Sequence, residues 1–394
     1  MPKWHDRWLD ELCSISSGES LPAHEQNGQF PLMGANGQIG KASKANFTDG
    51  FLVGRVGAAG EISTISSPCW ASDNTLTIRP KTKVVSTKFL AHALRNLNLA
   101  SIATKTAQPL LTQSQLKKQL LHLPESAIEQ ETIAQILDTL DTQIQKTEAL
   151  IVKLEKIKEG LLHDLLTRGI DQNGELRPTP EQAPELYKES ALGLIPKEWG
   201  LAHVSEIGAV ITGSTPPSSD LNAWGGVHRF FTPADVKDSE PLDHTERTIS
   251  DSGTRYVRLI PAEATLVVCI GSTIGKVGIT SCPGATNQQI NAVIPSNLWS
   301  PTFVFQAIRQ HVYQIHAWAG LQAVPIVNKS TFQKMLIPKP SGQEQCRISD
   351  AVKKLEARAT MERAIFEKLN KQKIALTDDL LTGRVRVTPL LPSS

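Results

Sequence analysis

The motif in this chain that comes nearest to binding chemistry is Gly271-Ser272-Thr273-Ile274-Gly275-Lys276. It has glycines to free backbone N–H groups, two hydroxyls and a lysine, the parts from which a phosphate cradle is built. A nucleotide-binding loop needs four residues between its glycines and Ser or Thr after the lysine. Here three intervene and Val277 follows, so nucleotide binding is excluded. An amino-methyltransferase would need Asn or Asp, two prolines and an aromatic in a row, but Pro216-Pro217 stands between Ser214-Thr215 and Ser218. A nuclease would need clustered carboxylates on paired strands, and Asp235-Val236-Lys237 is an isolated fragment of that pattern. The ten histidines form no zinc helix, and the five cysteines (13, 69, 269, 282, 346) form no CxxC pair. The sequence therefore predicts no catalytic residue and no metal site.

Composition narrows the class further. The chain has 394 residues, 40% hydrophobic and 20% charged, with a formal charge of +2. That is ordinary globular composition, long enough for two or three domains with proper cores. No stretch approaches the roughly 18 consecutive apolar residues of a membrane span, and Met1-Pro2-Lys3-Trp4 opens no signal peptide. A cytoplasmic protein is expected. Positive charge is concentrated in two separate blocks, 13 basic against 8 acidic residues in 1–124 and 10 against 7 in 341–394. A modest excess of this kind suits a polyanionic partner.

The elements that would position a binding surface follow from an internal duplication. Glu129-Gln130-x-x-Ile133 returns as Glu344-Gln345-x-x-Ile348, and Asp164-Leu165-Leu166-Thr167 as Asp379-Leu380-Leu381-Thr382, both at an offset of 215. Without a gap, 14 of the 39 residues in 129–167 are identical to their counterparts in 344–382. Trp4 matches Trp199 and Glu11-Leu12 matches Glu206-Ile207 at an offset of 195, so the second copy carries about twenty extra residues, expected within 219–264. The repeated segment has apolar residues on a 3-4 spacing: Leu137, Leu140, Ile144, Ile151, Leu154 and Leu161 in one copy, Val352, Leu355, Phe366, Leu369 and Leu376 in the other. The seam is interrupted at Thr147 and Lys158, and at the same places, Glu362 and Lys373, in the second copy. A helix of ~39 residues is ~60 Å long, more than most single domains can cover. An antiparallel pair, one helix from each half, is the expectation. The two polar interruptions would then set register or reach for solvent.

The two remaining blocks share a grammar of short β-type runs broken by glycine. In 1–124 these include Asp49–Gly54, Arg55–Gly60, Leu76–Ile78 and Leu120–Leu123, with a helix at Thr87–Leu97. In 196–340 they include Thr265–Ile270, Gly278–Thr280 and Ile290–Ile294, with a helix over 302–316. Residues 169–195, with Asp171-Gln172-Asn173-Gly174 and Pro178, Pro180 and Pro184, read as a linker. The fold class is α+β: two pseudo-repeated domains joined by two long antiparallel, coiled-coil-like helices. The divisions are 1–124, a helical spacer 125–168, the linker 169–195, 196–340, a second helical spacer 341–383, and a tail 384–394.

In this layout the chain resembles the specificity (S) subunits of type I restriction–modification systems. The resemblance rests on Leu194-Ile195-Pro196-Lys197-Glu198-Trp199, the Glu-Gln-x-x-Ile helix starts, the endings Leu165–Asp171 and Leu380–Val385, Gly54-Arg55-Val56-Gly57-x-x-Gly60, and Ala285–Ile290. Pro340-Ser341-Gly342-Gln343 departs from the family's usual apolar-proline run. The resemblance implies that blocks 1–124 and 196–340 are target-recognition domains, each reading one half of a bipartite, asymmetric site on double-stranded DNA. The helices would act as a spacer. Methyltransferase subunits, two of them, and restriction subunits would be the partners. The complex would methylate adenine or direct cleavage, with S-adenosylmethionine bound in the methyltransferase and no cofactor in this chain.

Within that reading, candidate DNA contacts are Lys41, Lys44, Arg55, Asp73, Asn74 and Lys105 in the first block. In the second they are Arg229, Arg255, Arg258, Ser272, Thr273, Lys276, Asn287, Gln288, Gln289 and Lys329. Amide side chains suit adenine edges, and cations and glycine-loop N–H groups suit phosphate. The plainer reading makes these residues strand edges and surface charges. A rival function is a non-DNA helical scaffold with two ligand-binding lobes, which salt-independent binding would favour.

Overall fold

A computed structural model describes residues 3–20, 26–65, 67–82, 84–237, 241–320 and 325–391. The chain divides into two compact units. The first comprises residues 1–150 with 362–394, the second residues 151–361.

In the first unit the order is β1 (Trp4–Trp8), α1 (Leu9–Leu12), β2 (Cys13–Ser17), β3 (Gln26–Gly34), β4 (Gly37–Ala42), β5 (Phe51–Gly54), β6 (Ile62–Thr64), β7 (Trp70–Ala71) and β8 (Thr75–Pro80). Then follow α2 (Thr87–Asn96), α3 (Gln113–Lys117), β9 (Leu120–Pro124) and the long α4 (Ala127–Thr167). Strands β2-β8-β5-β6 form one sheet, β4-β3-β7 a second, and β1-β9 a pair. Apolar side chains on alternate positions of β8, Leu76 and Ile78, pack with Phe51 and Val53 of β5 against the Phe89, Leu90 and Leu94 face of α2. Each such residue stabilises by about 1.5–3 kcal/mol. Ser86 caps α2, its hydroxyl accepting from the Phe89 N–H at 3.3 Å.

The second unit repeats this plan. After β10 (Tyr187–Lys188) and β11 (Ile195–Pro196) come β12 (Gly200–His203), α5 (Val204–Ile207), β13 (Gly208–Thr212), β14 (Trp224–Phe231), β15 (Arg247–Ile249), β16 (Thr265–Val268), β17 (Val277–Ile279), β18 (Gly284–Thr286) and β19 (Ile290–Pro295). Then follow α6 (Pro301–Gln310), α7 (Tyr313–Ala319), α8 (Lys329–Phe332), β20 (Leu336–Lys339) and α9 (Gly342–Leu381). The sheets β13-β19-β16-β17, β15-β14-β18 and β12-β20 match those of the first unit strand for strand. The starts of β2 and β13 differ by 195 (13 to 208) and those of β5 and β16 by 214 (51 to 265), so 19 extra residues lie between. Most of them sit between β14 and β15, where 232–246 replaces the two-residue turn 35–36 of the first unit.

Three expectations need correction. The helix expected over 302–316 is two helices, α6 and α7, because the chain turns at His311, whose φ of −104° and ψ of 14° leave the helical region. The run Arg55–Gly60 is a turn; only Val56 makes a β-bridge, to Leu110, and Gly57 and Gly60 take positive φ. The segment 169–195 is folded chain and not a loose tether: Ile170, Ala183, Tyr187 and Ile195 are buried.

The long helices run antiparallel within each unit. In the first, Ile133 and Leu137 near the start of α4 share a core with Leu380 and Leu381 at the end of α9. In the second, Ile348 and Val352 near the start of α9 share a core with Leu165 and Leu166 at the end of α4. Every seam position named above is buried or half-buried. The lysines that interrupt the seam reach an acid on the facing helix: Lys158 lies 2.9 Å from Glu356, and Lys373 pairs with Asp141. Since 158 and 373, and 141 and 356, each differ by 215, the two bridges are one contact made twice.

Candidate nucleic-acid interface

The candidate surface is an edge of loops built identically in both units. In the first, Arg55 N–H donates to the Asn74 carbonyl and Leu111 N–H to the Arg55 carbonyl, both at 2.8 Å, and Gly57 N–H donates to Pro109 at 3.1 Å. In the second, Cys269 N–H donates to the Gln289 carbonyl and Val327 N–H to the Cys269 carbonyl, both at 2.8 Å, and Gly271 N–H donates to Pro325 at 3.0 Å. This ladder ties three loops together, the glycine turn in the middle, because each strand end must spend its last N–H and carbonyl groups somewhere. A side-chain bond completes the match. Ser20 donates to the Asp73 carboxylate at 2.7 Å, and Thr215 donates to the Gln288 amide oxygen at 2.6 Å.

The ladder gathers some of the sequence candidates and leaves others aside. Arg55, Asp73 and Asn74 meet on the first edge, where an Arg55 guanidinium N–H donates to the Asp73 carbonyl at 3.3 Å; Lys105 is exposed on the adjoining loop. Ser272, Thr273, Lys276 and Gln288 meet on the second edge, next to exposed Lys329, and Arg258 joins them by donating to the Thr212 carbonyl at 3.0 Å. Arg255 is held by Asp220 at 2.9 Å; hydrogen bonds from Tyr256 and then Arg255 depress the Asp220 carboxyl below its ordinary value. Lys41 on β4, Lys44 just after it, and Arg229 on β14 belong instead to the three-stranded sheets, and Arg229 donates to the Asp243 carbonyl at 3.1 Å.

Asn287 and Gln289 do not present their amides outward. Asn287 is buried, its Nδ2 donating to Gln289 Oε1 at 2.9 Å and its Oδ1 accepting from Gln289 N–H at 3.1 Å. Gln289 Nε2 in turn donates to the Ile270 carbonyl at 3.2 Å. These two amides hold the glycine turn in place, and within this segment Gln288 is the exposed one.

What fixes the edges relative to the helices was not legible as function in the sequence: the repeated Glu-Gln pair itself. Gln130 Oε1 accepts from the Ser86 N–H at the start of α2 (2.8 Å), and its Nε2 donates to the Pro124 carbonyl (2.9 Å). Gln345 makes the same two bonds, to Ser300 N–H (3.0 Å) and the Pro340 carbonyl (3.1 Å). The departure at Pro340–Gln343 thus leaves the docking of α9 unchanged. Glu129 is fully buried and bound by Arg386 through Nε and Nη2 at 2.7 and 2.9 Å. Glu344, equally buried, is bound by Arg177 at 2.5 and 3.1 Å and also accepts from Trp199 Nε1 and Ile170 N–H, each at 3.0 Å. Gly169, at φ +69°, ends α4 where a Cβ would lie 2.2 Å from Glu344 Oε1. Burial by itself would lower the Arg177 pKa, but the bonds and charge of Glu344 outweigh it and hold the pKa above its ordinary value. The signal available in the sequence was a charged residue kept in both copies beside an apolar seam.

Among the described residues no group of three or more His, Cys, Asp or Glu side chains could hold a metal ion. Burial pushes the Cys13 thiol up to about 12 and Cys269 up to about 11, so neither offers a thiolate. No helix among the described residues is long and apolar enough to cross a membrane. The edges can offer N–H groups, amides and cations for contact.

A family profile described as the type I restriction modification DNA specificity domain matches residues 1–156 and 196–371. A specificity subunit named for the type I restriction enzyme HindI of Haemophilus influenzae is 33% identical over 37% of this chain, a stretch that spans only 33% of that relative. The putative MjaX specificity subunit of Methanocaldococcus jannaschii is 26% identical over 80% of this chain and 72% of its own length. Among solved structures, a type I restriction–modification S subunit from M. genitalium matches with a TM-score of 0.65 at 17% identity, covering 96% of each chain.

Proposed function

The chain belongs to the type I restriction–modification DNA specificity family, and on that premise we propose that it is the DNA sequence-recognition subunit of such a complex. Each unit's loop edge lies along one half of a bipartite, asymmetric site. Lys276, Lys329 and Arg258 on one edge, and Arg55 and Lys105 on the other, engage phosphate and fix register. The observation that supports this most strongly is the pair of loop ladders: one backbone scaffold, built twice, bearing different exposed side chains. A reader of two unlike half-sites needs that arrangement. A scaffold with two ligand lobes has no need of it, and with the family established that rival drops out.

Methylation and cleavage fall to methyltransferase and restriction subunits in the cytoplasm, two methyltransferase subunits being our expectation. S-adenosylmethionine is bound in those partners, and this chain contributes no catalytic group. The test is to map methyladenine in cells expressing this chain with its partner methyltransferase. A two-part asymmetric motif with a fixed gap is expected. A one-part or palindromic motif would overturn the two-reader arrangement.

A further inference from the structure

The β3–β4 hairpin of the first unit stands out because the two units differ most there while the surrounding frame is the same. Its two-residue turn, Ala35-Asn36, lies against the loop edge: a Cβ placed on Gly54 would be 2.6 Å from the Ala35 carbonyl, and Gly54 leads directly into Arg55. The β3–β4 pairing shifts register between Leu32 and Met33, leaving Ile39 as the extra residue of a bulge, and there Gln38 and Ile39 are both exposed, Ile39 to 63%. Asn36, at the turn, is exposed as well, and so is Lys41, two residues beyond Ile39. A bare aliphatic flanked by amides on a cationic ribbon is poorly suited to water. It suits the major groove, which admits a two-stranded ribbon and presents adenine N6/N7 to amides and the thymine methyl to aliphatic side chains.

We propose that the tip of this hairpin is the base-reading element of the first unit, with Asn36 and Ile39 together selecting an A·T pair in its half-site. The proposal rests on the DNA-recognition reading above and adds which residues determine specificity. It differs from the sequence candidates Asp73 and Asn74, whose backbone belongs to the ladder that holds the edge. In the second unit the corresponding connection is the longer 232–246, so the other half-site is read by a different element.

The test is the methylated motif produced by the complex carrying Asn36→Ala, Ile39→Ala, or both, with thermal unfolding of each variant as the folding control. An adenine contact of this kind discriminates about 5- to 150-fold against the wrong base. One position in one half-site should therefore relax to degeneracy, while the other half-site and the gap stay fixed. An unchanged motif in the double variant would overturn the proposal and leave the two-reader arrangement standing, since a bipartite motif would still be written. Relaxation in both halves together, or complete loss of methylation by a folded chain, would also overturn it, by placing the hairpin in assembly and not in base reading.

Discussion

Replacing Glu344 by alanine should be the most damaging single change to the second unit. The carboxylate is 3% exposed and the Arg177 side chain 9%. Its removal strips the guanidinium of two bonds and leaves it the Arg168 carbonyl at 3.0 Å and Glu198, three-quarters exposed, at 3.1 Å. It also leaves Trp199 Nε1 and Ile170 N–H without their acceptor. Breaking a buried ion pair from one side costs about 3–5 kcal/mol, because the surviving charge stays buried. For a unit of this size about 2–4 °C of melting temperature accompanies each kcal/mol, so its transition should fall by about 6–20 °C in a calorimetric scan of the full chain. The double variant Arg177→Leu with Glu344→Leu removes both charges and should recover much of that loss. A drop below about 2 °C for Glu344→Ala would refute the reasoning. So would a double variant no more stable than the single one, since the penalty would then not be a stranded charge.

Two further outcomes follow from the same geometry. Burial lowers the pKa of His92 in the first unit, against the opposing hydrogen bond to Asp138, and of His311 in the second. The folded chain therefore binds fewer protons than the unfolded one. The stability involved is present above the ordinary histidine value of about 6.5 and is lost as pH falls through the lowered values. Urea midpoints should drop between pH 7 and 5, and a His92→Asn, His311→Asn chain should show a flatter profile over that range; an unchanged slope would count against burial as the cause. Lys276→Ala and Lys329→Ala should each weaken DNA binding across all sequences and reduce the slope of log affinity against log salt by about 1, measured by titration at several salt concentrations. A slope the same as in the parent chain would remove these lysines from the phosphate path.

The duplication and the heptad seam were legible because both are periodic. A fixed offset of 215 and a 3-4 spacing need no knowledge of tertiary contacts, and the helices Ala127–Thr167 and Gly342–Leu381 follow from them. The loops were legible as glycine-rich but not as a ladder, since backbone bonds such as that from Cys269 N–H to Gln289 leave no mark on residue type. Asn287 and Gln289 show the corresponding limit. An amide that reads a base and an amide that ties a turn to its neighbour have identical composition, and only burial separates them. Ile39 shows the same limit, since nothing local in the sequence says that its strand lies at a sheet edge.

The two buried glutamates show which part of the duplicated frame is fixed. Glu129 and Glu344 occupy the same position in the repeat, but their arginines do not. Arg177 lies ten residues beyond the end of α4, whereas Arg386 lies five beyond the end of α9. The tryptophans differ too: Trp199 donates to Glu344, while Trp4 Nε1 is buried without a protein partner and its ring lies 5.7 Å from the Arg386 guanidinium carbon. One carboxylate has thus been neutralised by cations from two unrelated stretches of chain. A buried carboxylate cannot be left bare, so once the helix start places it inside, whatever segment follows the opposite helix must bring a guanidinium to it. The requirement is electrostatic and positional, not a matter of local sequence. It explains why 169–195 and the stretch 384–391, which share no visible motif, both fold back onto a helix start.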